Sequence, residues 1–329
     1  MKPLRIILFS CIVLMCIMAS CKEQEAISGE KLVEIKRVVL TMEPAHAEGD
    51  DEDDAEVTRL VSIGNGSSWR PEFQRTDTFG LFPEGGYQIP FIPPLEEGES
   101  KQTVAIEAQG WMTKDSLNYA AYLPYNFYNR YYNKIPFSYY SKVPKQLANE
   151  DARHLDGLVL MATDIVPADS GQINATIRSQ GQIICIKADM PVGGTFVKMV
   201  LASSDPQAFV VWGYMNLLAE GQPFTARRYT DYATLLLDNI AVNSGERITA
   251  FFNFAPTNIP NTDLTLYVWD NYGNCYSASR VLTAVQGAWV KGGFRAFVFK
   301  PTLDHNVPSV YLNPYKYEIE YDTGVALED

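Results

Sequence analysis

Residues 38–42 read Val-Val-Leu-Thr-Met, so that in an extended chain Val38, Leu40 and Met42 lie on one face. Side chains alternate between the two faces of a sheet, and an apolar period of two residues therefore indicates a half-buried strand. We predict a first strand from Leu32 to Met42. No long segment of the sequence shows the sustained apolar period of a helix, so the fold has to be built from strands.

The same alternation recurs along the chain, and Pro and Gly stand between the apolar segments. The chain contains 19 tyrosines, 16 phenylalanines and 19 prolines, a composition that favours strands and turns. Many short strands joined by turns predict an all-β protein built from sandwiches. The further strand-like segments are Thr103 to Ala108, Ile173 to Arg178, Ile183 to Ala188, Phe196 to Leu201, Arg247 to Phe254 and Leu264 to Asp270.

Length and turn residues predict two domains. A hydrophobic fraction of 47% excludes a disordered chain, and residues 21–329 are enough for two domains of ordinary size. Residues 189–194, Asp-Met-Pro-Val-Gly-Gly, follow a buried-looking strand and are the best boundary signal. We predict domains at 32–188 and 189–329, with a tether at 21–31. A short helix is expected between Pro144 and Leu155.

The N-terminal residues have the features of a bacterial lipoprotein signal. Two basic residues precede an apolar run from Ile6 to Met18, which is too short to cross a hydrocarbon core of about 30 Å. Small residues at 19 and 20 precede Cys21, whose thiol is the nucleophile that lipid transfer requires. We predict that residues 1–20 are a cleaved signal peptide and that Cys21 is lipidated. The alternative is an ordinary secretory signal with an accidental cysteine.

Charge and cysteine content exclude several kinds of partner. The net charge is −12, and it becomes −14 when Lys2 and Arg5 leave with the signal peptide. This balance opposes binding to nucleic acid, which needs Lys and Arg against the phosphates, and binding to anionic lipid head groups. The membrane link is therefore predicted to be the lipid on Cys21. Cys185 and Cys275 lie in apolar, strand-like contexts and are predicted to be buried free thiols.

No motif for chemistry is visible in the sequence. The three histidines of the chain are far apart, and neither a phosphate-binding loop nor a nucleophile elbow occurs. We predict no catalytic residue, no metal site and no cofactor, and thus no enzyme. A paired-carboxylate hydrolase is the alternative, because such pairs leave no sequence mark. The acidic run at 48–56 is predicted to be a solvated loop rather than a calcium site, since it lacks spaced ligands.

An aromatic run from Tyr119 to Tyr132, continuing to Tyr139 and Tyr140, is the densest local bias in the chain. The simpler interpretation is a strand that enters a proline-led surface loop, with rings covering the sandwich edge. The functional interpretation is a set of exposed rings that stack against sugars or another surface ligand. The ligand-facing candidates are Tyr125, Tyr128, Tyr131 and Tyr132.

Taken in order, several segments resemble the fimbrillin family, the lipoprotein-derived pilus subunits of Bacteroidales. The resemblance covers nearly the whole chain after the signal, although each motif alone is loose. Phe294 and Phe297 stand where the family commonly has tyrosine, and the tail beyond Lys300 is distinctive. The segments are the lipoprotein signal with its first strand, Thr58-Arg59, Asp77 to Phe82, Asn118 to Tyr125, Leu155 to Ala162 and Ala288 to Phe297.

The resemblance implies two transthyretin-like, Greek-key β-sandwiches in tandem and assembly by strand exchange. A trypsin-like protease would cut after an Arg beyond the first strand, the strand would leave, and a strand of the next subunit would fill the groove. Arg59 is the first candidate for the cut, because it follows the acidic loop, and Arg37 is the second. The candidate donor strand places its alternating apolar residues on one face: Tyr315, Tyr317, Ile319 and Tyr321.

These observations predict a surface-exposed fimbrial subunit or fimbrial accessory protein of the outer membrane, whose partners are other subunits. Two alternatives stay open: a permanently lipidated pilus anchor or tip adhesin, and a surface lipoprotein that binds glycans. The C-terminal strand is equally compatible with a native last strand of the second domain. Likewise, Arg59 is equally compatible with an ordinary surface position.

Overall fold

The computed structural model describes residues 32–46, 68–69, 71–114, 117–138, 143–155, 158–257 and 262–311. Within these ranges nearly all regular structure is β, which confirms the predicted all-β class. The division into two transthyretin-like domains stays a prediction, and residues 1–31 lie outside the described ranges. The helical elements are α1 (Ala284–Gly287) and the 3-10 turns Tyr132–Lys134, Arg153–Leu155 and Ser309–Tyr311.

An eight-stranded sheet, here called the N-terminal sheet, is formed by the first half of the chain. Strands are numbered in chain order. Its members are β1 (Leu32–Met42), β5 (Phe79–Pro83), β6 (Ile89–Phe91), β8 (Thr103–Lys114), β9 (Asn118–Leu123), β12 (Met161–Thr163), β13 (Val166–Pro167) and β14 (Gln172–Ser179). The neighbour order is β6-β5-β9-β12-β14-β1-β8, and β13 pairs with β9. Two small ladders flank it, β2 (Ala45–His46) with β3 (Ser68–Trp69) and β4 (Phe73–Gln74) with β7 (Ser100–Lys101).

Three further sheets follow. The central sheet has the order β20 (Arg247–Phe254), β15 (Gln182–Asp189), β23 (Phe294–Phe299). The C-terminal sheet has the order β11 (Lys145–Gln146), β19 (Tyr232–Val242), β16 (Gly194–Ala202), β21 (Asp263–Asp270), β22 (Cys275–Val281), β24 (Thr302–Asp304). A small sheet has the order β10 (Ile135–Ser138), β17 (Phe209–Met215), β18 (Phe224–Thr230).

The central sheet separates two apolar cores, because both of its faces are buried. Ile183 and Cys185 of β15 enter the core beneath the N-terminal sheet, whereas Ile184 and Ile186 enter the core shared with the C-terminal and small sheets. This explains the continuous apolar run at 183–186, since a strand that is covered on both faces needs no polar side. Although β15 precedes the predicted boundary at residue 189, its partners β20 and β23 both follow that boundary.

The six predicted strand segments after the first strand are confirmed. Arg247–Phe254 has the predicted bounds, and β8 extends six residues beyond the expected end at Ala108. The expected helix between Pro144 and Leu155 is wrong for most of its length. Residues 145–146 pair in parallel with β19 instead, and the backbone N–H of Leu236 donates to the Pro144 carbonyl at 2.9 Å. Only one 3-10 turn, at 153–155, is helical there.

Candidate functional site

Strand β1 lies in the interior of the N-terminal sheet, with a hydrogen-bonded neighbour on each side. It pairs in parallel with β14 over residues 37–42 and antiparallel with β8 over residues 32–41. Strand β1 is therefore an inner strand, and the resemblance to fimbrillins implies that it is removed before assembly. Its departure would leave a row of unpaired backbone N–H and C=O groups on both neighbours.

The buried face of β1 is interrupted by one bulge. The register shifts between Ile35 and Arg37, so that Ile35 and Val38 both reach the core although they are three residues apart. Beyond the bulge, Val38, Leu40 and Met42 follow the predicted alternation and are at most 2% exposed. Burial of such side chains stabilises by about 1.5–3 kcal/mol each, so β1 is a substantial part of this core.

Arg37, the second cleavage candidate, lies in the middle of β1. Its side chain is exposed, and its Nε lies 3.6 Å from Glu107 Oε1 on β8. Its backbone, however, is held on both sides, since it pairs with Gln172 of β14 and with Glu107. A protease requires an extended backbone that it can bind itself, and this backbone is already paired.

Arg59 and the acidic run 48–56 lie outside the described residues. The structure describes the two ends of the segment that contains them. Ala45 pairs with Trp69 and His46 with Ser68 in the β2–β3 ladder, so the segment 47–67 begins and ends at the same ladder. Cys21 and the donor candidates Tyr315, Tyr317, Ile319 and Tyr321 also lie outside the described residues.

The chain is anchored at Tyr311, just before the candidate donor segment. Residues after β24 cross the outer face of the C-terminal sheet, where Lys198 Nζ donates a hydrogen bond of 2.6 Å to the Tyr311 carbonyl. The Tyr311 ring lies 5.0 Å from both Tyr232 and Tyr267, and burial raises its pKa to about 12. Lys198 also lies 3.8 Å from the centre of the Trp269 ring.

The aromatic run is a buried strand followed by a surface loop, as the simpler interpretation predicted. Tyr119 and Tyr122 of β9 are buried, and the Tyr122 hydroxyl is the centre of the loop. It donates to Gln88 Oε1 at 2.6 Å and accepts from the Asn126 N–H at 3.2 Å and from Asn129 Nδ2 at 3.1 Å. Burial raises the pKa of this hydroxyl.

The four ligand-facing candidates differ in exposure. Tyr128 is 85% exposed and Tyr131 is 60% exposed, whereas Tyr125 is half-buried. Tyr132 packs against the core, with its ring edge-on to Phe82 at 6.4 Å, and so does not face solvent freely. Phe127, which is not one of the four candidates, is 74% exposed and packs edge-to-face on Tyr128. Its place beside Tyr128 in the aromatic run was the available signal.

Two grooves lie on either side of residues 124 and 125. One, of about 380 Å³, is lined by Met42 at the end of β1, by the turn at 74–78 and by Leu155 and Met161. Burial raises the pKa of Asp77 in this groove, against the opposing effect of the hydrogen bond from the Gln74 N–H. The other, of about 460 Å³, lies between residues 124–129 and residues 136–138. None of the described residues that line the second groove is charged.

The described residues contain no cluster of His, Cys, Asp and Glu that could hold a metal ion. In the same part of the chain, no helix is long and apolar enough to cross a membrane. Cys185 and Cys275 are buried and free, as predicted, and burial raises the pKa of each thiol to about 12.

Neither a protein-family model nor a curated protein matches the chain. Solved structures resemble it at low identity. A candidate cell adhesion protein from Bacteroides ovatus is 13% identical, with a TM-score of 0.49, and the match covers 83% of this chain and 96% of that one. A candidate cell adhesion protein from Bacteroides uniformis is 12% identical, with a TM-score of 0.48, and the match covers 69% of this chain and 91% of that one.

The tip fimbrial protein Mfa3 from Porphyromonas gingivalis, with a C-terminal truncation, is 11% identical with a TM-score of 0.41. That match covers 83% of this chain and 96% of the other. Likeness at these identities and TM-scores assigns neither family nor function. The similar structures are described as fimbrial proteins or as candidate cell adhesion proteins.

Proposed function

We propose that this chain is a fimbrial subunit or fimbrial accessory protein on the bacterial surface, assembled with other subunits by strand exchange. It would reach the outer membrane as a lipoprotein, through lipid on Cys21. The observation that carries the proposal is the interior position of β1 between β8 and β14. A strand at the edge of a sheet could leave without opening a groove. In the sheet order β8 and β14 are joined only through β1, so the loss of β1 separates them.

The vacated groove would bind another strand for two reasons. Both neighbours would present unpaired backbone groups, and the floor would present the apolar surface that Val38, Leu40 and Met42 cover. An incoming strand with alternating apolar residues satisfies both requirements by β-augmentation. Because donor and groove are different surfaces, each subunit would bind the next head to tail, and a fibre would result.

The proposed donor is the segment after Tyr311. At least 18 residues follow Tyr311 in the sequence, and fully extended they span about 60 Å, which is long enough to reach a neighbouring subunit. Tyr315, Tyr317, Ile319 and Tyr321 would supply the alternating apolar face. The contacts of Lys198 and Tyr232 with Tyr311 would fix the point at which this segment leaves the molecule.

The proposed cut is after Arg59 rather than after Arg37. Arg37 lies in a strand with two paired neighbours, so cleavage there requires the sheet to open first. Cleavage after Arg59 would separate β1 from the rest of the chain without breaking any ladder of the N-terminal sheet. The freed segment would then dissociate, and the groove would become available.

A protease experiment tests this proposal. The purified chain, from residue 22 onward to omit the lipid, is treated with a trypsin-like protease, and the products are examined by mass spectrometry and electron microscopy. We expect a new N-terminus at Leu60 and fibre formation. Arg59→Ala should prevent both, and Arg37→Ala should prevent neither. Normal polymerisation of Arg59→Ala would show that Arg59 is not the switch.

A second role is an anchor or an adhesin. An intact lipidated Cys21 on cells would indicate a permanent anchor, whereas a mature start at Leu60 would indicate a shaft subunit, so mass spectrometry of the surface protein separates them. The exposed rings of Phe127 and Tyr128 favour an adhesin or glycan-binding role for the same molecule. This second role does not require polymerisation.

A further inference from the structure

We propose that the groove beside Phe127 and Tyr128 binds a neutral pyranose sugar. The groove, of about 460 Å³, lies between the loop at 124–129 and residues 136–138. Its volume lies in the range of small-molecule sites, about 300–1,000 Å³. This inference rests on the adhesin or glycan-binding role proposed above, and it adds the location and the chemical class of the ligand.

The two rings are exposed although their loop is held firmly. Phe127 and Tyr128 are 74% and 85% exposed, yet the backbone around them makes several hydrogen bonds. The Tyr128 N–H donates to Asn126 Oδ1 at 2.9 Å, and Gln88 Nε2 donates to the Asn126 carbonyl at 2.8 Å. The loop backbone therefore loses little conformational freedom when a ligand binds, and preorganisation of this kind favours affinity.

The geometry of the two rings suits the apolar face of a sugar. The two ring planes are 80° apart with centroids at 5.7 Å, so each ring presents a face in a different direction. The face of an aromatic ring carries partial negative charge, and the C–H bonds on one face of a pyranose carry partial positive charge. One ring can therefore cover the apolar face of a sugar while its hydroxyl groups point elsewhere.

Polar groups suited to sugar hydroxyls lie in the same groove. Asn126, Asn129 and Ser138 are among its lining residues. Asn126 uses its Oδ1 and Asn129 uses its Nδ2 to hold the loop, and the opposite amide atoms make no hydrogen bond with the residues that the structure describes. One donor, Asn126 Nδ2, and one acceptor, Asn129 Oδ1, are thus available for hydroxyl groups.

None of the described residues that line the groove is charged, so we expect the ligand to be neutral. An anionic sugar would need a basic partner, and Arg130, the basic residue next to Asn129, is not among the lining residues. The net charge, −12 for the whole chain and −14 without Lys2 and Arg5, further opposes an anion. A proline-rich peptide is also neutral and binds aromatic-lined grooves, so octaproline is the competing ligand in the test.

The test uses the uncleaved chain from residue 22 onward and saturation-transfer NMR with four probes: lactose, cellobiose, sialyllactose and octaproline. We expect transfer to the neutral disaccharides, mainly to ring C–H protons, and weaker transfer to sialyllactose. Phe127→Ala and Tyr128→Ala should each weaken binding about tenfold, since aromatic contacts contribute about that much. Tyr128→Phe should retain binding, because stacking needs the ring and not the hydroxyl.

The matched control is Tyr272→Ala, which removes an equally exposed tyrosine, 85%, from the β21–β22 turn. It should leave binding unchanged. Equal loss in Tyr272→Ala and Tyr128→Ala would overturn the site, and binding of octaproline alone would overturn the sugar class while the adhesin role survives. No binding of any probe would overturn the sugar site. Normal fibre formation by Tyr128→Ala after protease treatment would show that the assembly role stands even if the sugar site is overturned.

Discussion

The hydroxyl of Tyr122 organises the surface loop that carries the exposed rings. It is buried and makes hydrogen bonds with Gln88, Asn126 and Asn129. Tyr122→Phe keeps the ring in the core but leaves these partners without their common oxygen. Of the three, only Asn129 is buried, and a buried polar group without a partner costs about 1–3 kcal/mol, so we expect the free energy of unfolding to fall by that order.

Urea unfolding of the two proteins measures this difference. Tyr128→Phe is the matched control, since it removes a tyrosine hydroxyl from the same loop at a position that is 85% exposed. Its free energy of unfolding should equal that of the wild type. An equally small effect of both substitutions would show that the Tyr122 hydroxyl does not hold the loop.

The two buried cysteines should be chemically inert in the folded protein. Burial raises the pKa of both Cys185 and Cys275 to about 12, and the thiolate is the reactive form. At pH 8 we therefore expect iodoacetamide to modify neither thiol in the native chain from residue 22 onward. Both should react after denaturation, as mass spectrometry would show. Rapid native modification of either residue would contradict its burial.

Strand β1 should be replaceable by a separate peptide of the same sequence. Once the protease has released the first strand, a synthetic peptide of residues 32–42 should rebind in the groove and inhibit fibre formation. Leu40→Asp in the peptide should abolish inhibition, because Leu40 is fully buried and a carboxylate there has no partner. Leu32→Asp is the matched control, since Leu32 is 54% exposed, and it should still inhibit.

Electron microscopy and light scattering follow the inhibition. If the Leu40→Asp peptide inhibits as well as the unmodified one, the effect does not come from occupation of the β1 position. If neither peptide inhibits, the groove between β8 and β14 is not the assembly site.

The sequence predicts which segments form strands better than it predicts how those strands pair or which core their side chains enter. The alternation of Val38, Leu40 and Met42 identified β1, but the bulge that brings Ile35 into the core has no local signal, because it depends on pairing with β8. The run at 183–186 indicated a buried strand, but not that its side chains enter two cores. The expected helix near Pro144 failed because pairing with β19 overrides local preference.

The candidate site shows the same limit. The aromatic run identified the loop, in which Tyr128 and Tyr131 are exposed. Composition could not separate these rings from Tyr132, which packs on Phe82, since residues of one loop differ in exposure only through the fold around them. For the same reason composition does not show that Phe127 is exposed, although it is next to Tyr128.

A hydrogen-bond network around Gln222 joins segments that are distant in sequence. Gln222 Nε2 donates to the Thr163 carbonyl of β12 at 2.6 Å and to the Leu217 carbonyl at 2.9 Å. Lys291, in the turn before β23, donates to Gln222 Oε1 at 2.7 Å. The N-terminal sheet, the β17–β18 connection and the central sheet thus meet at one buried side chain.

This network should give stability a distinct pH dependence. Burial lowers the pKa of Lys291 to about 8, below its ordinary value of 10.5, so the unfolded chain binds more protons between these two pH values. Stability linked to Lys291 therefore rises with pH through this window and is lowest below pH 8. Lys291→Met removes the titration, so the wild type should gain stability relative to this variant between pH 7 and about 9.5.

Urea unfolding at the two pH values tests this, and the comparison between proteins cancels the titration of the buried tyrosine and cysteine groups that both share. Lys300→Met, at an exposed lysine just after β23, is the control and should show no relative gain. The Lys291→Met variant loses the hydrogen bond to Gln222. It should nevertheless remain folded, because the substitution also removes a charge from a partly buried position. An identical pH dependence in the wild type and Lys291→Met would mean that the lysine is fully solvated and that the parts meeting at Gln222 are joined without it.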